Sequence, residues 1–326
     1  MNIARKAITS MKGLYTQTAV LLTKGKIDLD DVAARLSEFG EITKTETQSD
    51  WAFGATTLRV PLNPEENSYV LVDYVPKTWP DSMGDPKDDP IVFGAWSMGA
   101  FGPFAYPGGL ERAQQQCWTW EDGAEVSAGH DGFIRLRSSY SVGVGDDDPV
   151  LPEEYDAVFE LASVTEMADN IIGMPNILCY FNPNGETLYS PEEFAETLEY
   201  NEENQMPSLD LWTNVRIYDL SEHAAGWSLQ DTVGLAQLDI PDQEAVFMKK
   251  RYDPEEVAQF LRSVSMYILE NGMVIADGDT IDGVGGIPWQ GFLHNEGLAS
   301  PPRETLRWFP VDKSIRPTAL TEKKTE

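Results

Sequence analysis

Once the abundant carboxylates are set aside, few residues in this chain could do acid–base or nucleophilic chemistry. There are three histidines, His130, His223 and His294, and two cysteines, Cys117 and Cys179. No histidine stands four positions from another, so the spacing that puts two imidazoles on one helical face for zinc is absent. His130 follows Cys117 by 13 positions, and a Cys–His pair could activate a thiolate nucleophile. Yet Cys117 lies in Gln114-Gln115-Gln116-Cys117-Trp118, a stretch of helical pattern in which a cysteine reads as a small apolar residue. The two cysteines are 62 positions apart and form no CxxC pair. Such usage fits a reducing cytoplasm rather than a disulfide framework.

Two further groups could bind rather than react. Gly132-Phe133-Ile134-Arg135-Leu136-Arg137-Ser138 alternates as a strand and places Arg135 and Arg137 on one face. They either neutralise nearby carboxylates or form a small anion-recognition patch. Asp277-Gly278-Asp279-Thr280-Ile281-Asp282-Gly283 has the oxygen-rich flavour of a calcium loop. It lacks the glycine and glutamate positions of an EF-hand, so it reads as a tight hairpin and no metal is expected there. No nucleophile elbow, phosphate-binding loop or strand-anchored dinucleotide fingerprint occurs. No cofactor is called for.

The stretch from Trp79 to Trp120 is where a site would be built. Trp79-Pro80-Asp81-Ser82-Met83-Gly84-Asp85-Pro86 and Phe93-Gly94-Ala95-Trp96-Ser97-Met98-Gly99-Ala100-Phe101 alternate large rings with glycine and proline. Rings supply buried area, and the small and cyclic residues let the backbone turn and approach closely. The expectation is an ordered aromatic loop over 79–109, neither helix nor strand, that plugs the core or walls a pocket. The candidate pocket comprises Trp79, Trp96, Phe101, Tyr106 and Trp118, with Asp81, Asp85, Glu111, Arg112 and His130 as polar groups and Arg135 and Arg137 facing it. A helix over 110–120 starts after Gly108-Gly109, and its free amides could hold an anion, although Glu111 already occupies the first turn.

The elements that must position these residues follow from periodicity. Leu14 to Thr23 reads as a strand buried on both faces through Ala19-Val20-Leu21-Leu22. A helix capped by Asp28 or Asp30 follows, then strands at Thr56–Pro61 and Ser68–Val75. A helix from Pro152 carries Val158, Leu161, Val164, Ala168 and Ile171, and ends at Gly173. Ile177–Phe181 is a short strand turning at Asn182-Pro183-Asn184-Gly185. Ser190 and Glu193 make a capping box for an acidic helix, and Leu209 to Leu220 alternates as a strand. Asp253-Pro254-Glu255-Glu256 starts a long helix with Val257, Phe260, Leu261, Val264 and Ile268 inward. Met273–Ala276 and Thr280-Ile281 suggest hairpin arms around Asp277-Gly278. The helix-then-hairpin patterns at 152–186 and 254–283 echo each other.

With 326 residues, 41% hydrophobic and 10% aromatic, the chain can bury a large core. It carries 54 acidic and 24 basic residues, a net charge of −30. Residues 1–26 hold five basic residues and no acid, and the stretch from Pro302 on holds six basic and four acidic ones. The part between has 13 basic against 50 acidic residues, a net of −37. A field of that sign repels phosphate backbones, which argues against nucleic-acid binding, and suits a basic partner protein or simple solubility. Thr18-Ala19-Val20-Leu21-Leu22 is too short for a signal core or a membrane span. A cytoplasmic protein with no membrane partner is expected.

The long Trp79–Ala113 string, including Phe101-Gly102-Pro103 and Pro107-Gly108-Gly109-Leu110-Glu111-Arg112-Ala113, together with Cys179-Tyr180-Phe181-Asn182-Pro183-Asn184-Gly185-Glu186, resembles an uncharacterised bacterial group. Its C-terminal part resembles domain of unknown function 4261 through Asp231-Thr232-Val233-Gly234-Leu235, Ile240-Pro241-Asp242 and Asp277-Gly278-Asp279-Thr280. The resemblance implies a bacterial cytoplasmic protein and transfers no catalytic residue.

The sequence therefore predicts an α+β protein with mixed or antiparallel sheets and packed helices. An N-terminal extension (1–13) precedes an α/β module (14–150) holding the aromatic loop; a C-terminal helix-and-hairpin module (151–300) and a tail (301–326) follow. The expected function is non-enzymatic binding of a protein partner, as an immunity-like or accessory factor. The alternative is an enzyme whose pocket is built from the aromatic loop.

Overall fold

The computed structural model describes residues 12–46, 56–142, 151–222, 224–311 and 320. The Asp146–Asp148 turn, His223 and all of the expected loose tail but Leu320 lie outside them. The chain divides into two compact units, one spanning Ser10–Trp212 and the other comprising the described residues from Thr213 on. The division expected at 150/151 is thus displaced, because the strands that follow residue 151 complete the first sheet.

In the first unit β1 (Thr18–Thr23) is buried along its whole length, as its unbroken apolar run requires. After it come α1 (Leu29–Arg35), capped by the Asp28 side chain, then β2 (Thr43–Glu46), β3 (Thr56–Asn63) and β4 (Ser68–Val75). Short helices α2 (Pro90–Ser97), α3 (Gly109–Gln115) and α4 (Gly123–Ala128) precede β5 (Gly132–Ser139). Then follow α5 (Ala157–Ile172), β6 (Ile177–Asn182), β7 (Thr187–Tyr189), α6 (Pro191–Glu203) and α7 (Leu209–Trp212). The seven strands form one antiparallel sheet in the order β2-β3-β4-β5-β1-β6-β7.

Because side chains alternate across a strand, β1 presents Leu21 to one face and Val20 and Leu22 to the other. Helix α5 packs on β1, β5 and β6 with Leu161, Val164, Ala168 and Ile171 buried. The 79–113 segment joins the opposite cluster, with Val20, Leu22, Val75, Phe133, Cys179 and Phe181.

The second unit holds β8 (Asn214–Asp219), β9 (Trp227–Val233), β10 (Asp242–Met248), α8 (Pro254–Asn271), β11 (Thr280–Asp282), β12 (Pro288–His294) and β13 (Thr305–Pro310). Their order is β11-β12-β13-β10-β9-β8, with β10 and β13 parallel and the other neighbours antiparallel. Helix α8 lies against β9 and β10, and its Phe260 meets the buried rings of Trp289 and Trp308 at 5.2 and 5.5 Å. The α+β class with antiparallel and mixed sheets is as the periodicities predict.

Several local expectations are corrected. Residues 90–97 of the aromatic loop are helical, started by Pro90. The helix over 110–120 ends at Gln115, and the one expected from Pro152 begins at Ala157, where the Asp156 carboxylate caps two amides. Leu209–Leu220 is not one strand: Leu209–Trp212 turns as a helix before β8. The last hairpin is β11–β12, turning through 283–287, so Met273–Ala276 is not an arm. The Thr305–Pro310 stretch, expected in the tail, is an interior strand with all six residues buried. The echo between 152–186 and 254–283 does not extend to topology. The first arm after α5, β6, lies inside its sheet with β7 at the edge, whereas β11 is the edge and β12 lies inside.

Candidate functional site

Trp79 is the hub of the aromatic segment. Its ring meets Phe101, Phe133 and Phe181 edge to face at 5.1, 5.2 and 5.3 Å, and Trp96 at 6.2 Å. Such edge contacts set the positive rim of one ring on the negative face of the next. Trp79, Trp96 and Phe101 are 5%, 8% and 0% exposed, so these three rings are core. Trp118 instead stands 66% exposed, and Tyr106 is half-buried.

The polar groups of this region are engaged with the chain itself. Asp81 accepts the amides of Leu110 and Glu111, both at 2.9 Å, and so occupies the N-terminus of α3 where an external anion could have sat. Burial raises the Asp81 carboxyl above its ordinary range against the pull of those two amides. Asp85 only closes an exposed turn, accepting the Lys87 amide at 2.7 Å. His130 has both nitrogens used: Nδ1 bonds the Ser127 carbonyl at 2.6 Å, and Nε2 accepts the Trp79 amide at 2.8 Å. Those partners define the tautomer and leave no lone pair to serve Cys117. The Cys117 thiol faces the Leu188 carbonyl at 3.8 Å, and burial pushes its pKa up, opposite to what a nucleophile requires.

Arg112 donates Nε and Nη2 to one oxygen of Glu186, at 2.8 and 2.6 Å, and Nη1 to the Pro107 carbonyl at 3.0 Å. Glu186 belongs to the 182–187 turn, as does Asn184, which accepts the Phe104 amide at 3.0 Å. Gly102 lies under that side chain with φ of +132°, where an added Cβ would sit 2.5 Å from Asn184 Oδ1. Two distinctive strings of the sequence, 79–113 and 179–186, are therefore one clamp.

Arg135 and Arg137 both reach Asp73. Arg135 donates Nε to Oδ1 at 3.1 Å and Nη2 to Oδ2, while its Nη1 bonds the Ala100 carbonyl at 3.2 Å. Arg137 donates Nη2 to Oδ1 at 3.2 Å and lies over the Tyr15 ring, 4.3 Å from its centre. Burial alone would raise the Asp73 carboxyl; the two arginines outweigh it, and the group lies below its ordinary range. Burial and then the neighbouring Arg135 charge lower Arg137.

The second unit contains a cluster of charges that sequence reasoning missed. Arg216 donates to Asp231 at 3.0 and 2.6 Å, and Arg303 bridges Asp231 and Asp242, the latter at 3.3 Å. Arg307 donates to Glu244 at 2.8 Å. Asp242 also accepts from the Thr232 hydroxyl at 2.8 Å and the Leu235 amide at 3.1 Å. Three guanidiniums meet three carboxylates, so the cluster is balanced and closed, the condition for keeping charge inside a protein. Burial nevertheless pushes the Asp242 carboxyl up to about 6, with the Asp231 charge adding to it against Arg303, Thr232 and Leu235. The signal was present as charged residues inside strands, such as Asp231 within Trp227–Val233 and Glu244 within Asp242–Met248.

The Asp277–Gly283 segment uses two of its carboxylates on neighbouring backbone: Asp277 accepts the Leu293 amide of β12 and Asp279 the Ala276 amide. Among the described residues no group of three or more His, Cys, Asp or Glu is placed to hold a metal ion, and no helix is long and apolar enough to cross a membrane. An open groove of about 330 Å³ runs along Lys77, Thr78, Asp88 and Asp89, outside the expected pocket set.

Fold and site thus define an α+β protein of two sheet-and-helix units whose interior charges are used for cohesion. Residues 231–309 match the family model of Domain of unknown function (DUF4261). That span contains Asp231, Asp242, Glu244, Arg303 and Arg307, five of the six charges of the balanced cluster. Comparison with curated proteins and with solved structures gives no match.

Proposed function

We propose that this chain is a non-enzymatic binding factor of the bacterial cytoplasm whose acidic surface engages a basic partner protein. The observation that carries this reading is a set of exposed carboxylates drawn together from three elements of the first unit. Glu166 on α5 lies within electrostatic reach of Glu38, in the 3-10 turn after α1, of Glu202 on α6 and of Asp169 on its own helix. Partial burial and then the charges of Glu38, Glu202 and Asp169 raise the Glu166 carboxyl. Like charges held together cost stability, and a cationic surface laid over them would relieve that cost and speed encounter. The engagement of Asp81, His130, Arg112 and Cys117 in structural contacts supports the reading from the other side.

The test compares wild type with the triple variant Glu38→Gln, Glu166→Gln, Glu202→Gln in affinity capture from bacterial lysate at about 0.05 M and about 0.5 M salt. A stoichiometric basic partner held at low salt, released at high salt and lost by the variant supports the proposal. A partner kept by the variant, or none at either salt, overturns it. The groove along Lys77 and Asp89 favours a second reading, an enzyme with a site beside the aromatic segment. Under that reading ligand binding disappears in Asp89→Ala and is unaffected by the triple variant.

A further inference from the structure

One row of residues crosses four strands of the first sheet without being satisfied. Arg59 on β3 lies opposite Leu71 on β4, Leu71 opposite Arg137 on β5, and Arg137 opposite Thr18 on β1. Residues directly opposite one another in antiparallel strands point to the same face. Three buried polar atoms of this row, Arg59 Nε, Arg137 Nε and Thr18 Oγ1, have no hydrogen-bond partner among the described residues. Thr18 is 0% and Arg137 5% exposed, whereas Arg59 and Leu71 are half-buried, so the row is closed at one end and open at the other. Buried donors of this kind are rarely left unmatched, because each forfeits the hydrogen bond it made in water.

The charges on this face do not balance either. The neighbouring row sets Thr57, Asp73, Arg135 and Val20 side by side. Among the described residues of this face Arg59, Arg135 and Arg137 therefore stand against Asp73 alone, and Arg59 makes no ion pair with any of them. On β2 the same face carries Thr43 and Thr45, since Thr43 lies opposite Arg59 and Thr45 opposite Thr57. The second unit keeps three guanidiniums with three carboxylates; here two positive charges are left over. The two outer guanidiniums also lie over rings, Arg59 3.5 Å from the centre of Tyr69 and Arg137 4.3 Å from that of Tyr15. Stacking of this kind fixes the plane of a guanidinium and leaves its edge free to donate.

We propose that the Arg59–Arg137–Thr18 row is a binding site for a small phosphate dianion, either inorganic phosphate or the phosphate group of a monoester. Two residual positive charges call for two negative ones, which selects a dianion over a carboxylate. Guanidinium edges and a hydroxyl together offer the donors that phosphate oxygens accept. Arg59 and Arg137 lie two strands apart, about 10 Å along the sheet, a span that two side chains as long as arginine close around one tetrahedral ion. Burial and the neighbouring Arg135 charge both disfavour the Arg137 guanidinium, and a dianion bound beside it would offset that repulsion. The chain's net −30 opposes the ligand only at long range and is screened within about 8 Å at physiological salt.

The experiment titrates the full chain with inorganic phosphate by calorimetry at constant ionic strength, with glycerol phosphate, sulfate and acetate in parallel. Saturable one-to-one binding of phosphate and sulfate with acetate at least about tenfold weaker is expected, as is a rise in Tm with phosphate that chloride does not produce. Tighter binding of glycerol phosphate than of phosphate would identify a monoester as the ligand, and the reverse order the free ion. Arg59→Gln, at the open end of the row, should weaken phosphate at least about tenfold while leaving Tm without phosphate unchanged; Arg137→Gln should do the same where it folds. No saturable binding, acetate as tight as phosphate, or an unchanged affinity in Arg59→Gln overturns the proposal.

Discussion

The main-chain amide of Trp79 donates to Nε2 of His130, 51 positions further along the chain, at 2.8 Å. The histidine of this region is thereby the fastener for the tryptophan at the centre of the aromatic cluster. His130→Ala leaves that amide buried without an acceptor, and a loss of about 1–3 kcal/mol is expected in urea unfolding. His130→Gln, which can still present an acceptor, should recover part of it.

Truncating the hub itself should cost more. Trp79→Ala removes a ring with four aromatic neighbours, and a loss of about 3–5 kcal/mol is expected from equilibrium unfolding. Trp118→Ala, at an exposed ring, should stay within about 0.5 kcal/mol of wild type. Equal effects of the two would refute the assignment of the 79–101 rings to the core.

Gly102 tests the clamp between the two distinctive strings. Its left-handed backbone and the Asn184 oxygen above it both exclude a side chain. Gly102→Ala should lose on the order of 1–3 kcal/mol, read as a lowered Tm, and Asn184→Ala in the same background should recover part of the steric share but not the strain.

Asp242 sets a pH dependence of definite sign. Its folded pKa of about 6 lies above the ordinary value of 3.8, so between those values the folded protein holds a proton that the unfolded chain has released. Stability from this group is therefore greatest below the unfolded pKa and falls as pH rises through about 6. The stability of wild type relative to Asp242→Asn should shrink by on the order of 1–2 kcal/mol between about pH 5 and about pH 8. A difference independent of pH would show that Asp242 does not titrate in this window.

Wherever a single periodicity governs, the fold was legible in the sequence. The apolar run of β1, the capping box of α6 and the inward stripe of α8 each follow from local pattern, and each occurs in the structure. What was not legible depends on partners distant in sequence. Nothing near Thr305–Pro310 announces that β10, some sixty positions earlier, will take it as a parallel neighbour. That Trp79, Trp96 and Phe101 are core while Trp118 is exposed was not legible for a related reason. Large rings and sharp turns are what both a pocket wall and a core plug require, and only the five rings meeting around Trp79 and Phe101 decide between them. Arg135 and Arg137 stand out in the sequence as a pair; their carboxylate, Asp73, is hidden within the apolar and aromatic run of β4.

The placing of β13 has a consequence for how the second unit comes into being. It lies between β12 and β10, so neither neighbour has its inner edge covered until residues 305–310 have left the ribosome and docked. A nascent chain that stops short of Thr305 leaves the inner edges of β12 and β10 open, edges that β13 covers in the finished sheet, and exposed edges recruit other strands. For this unit, the order of synthesis postpones the keystone strand to the end and makes the interval before it arrives the moment of greatest exposure to aggregation.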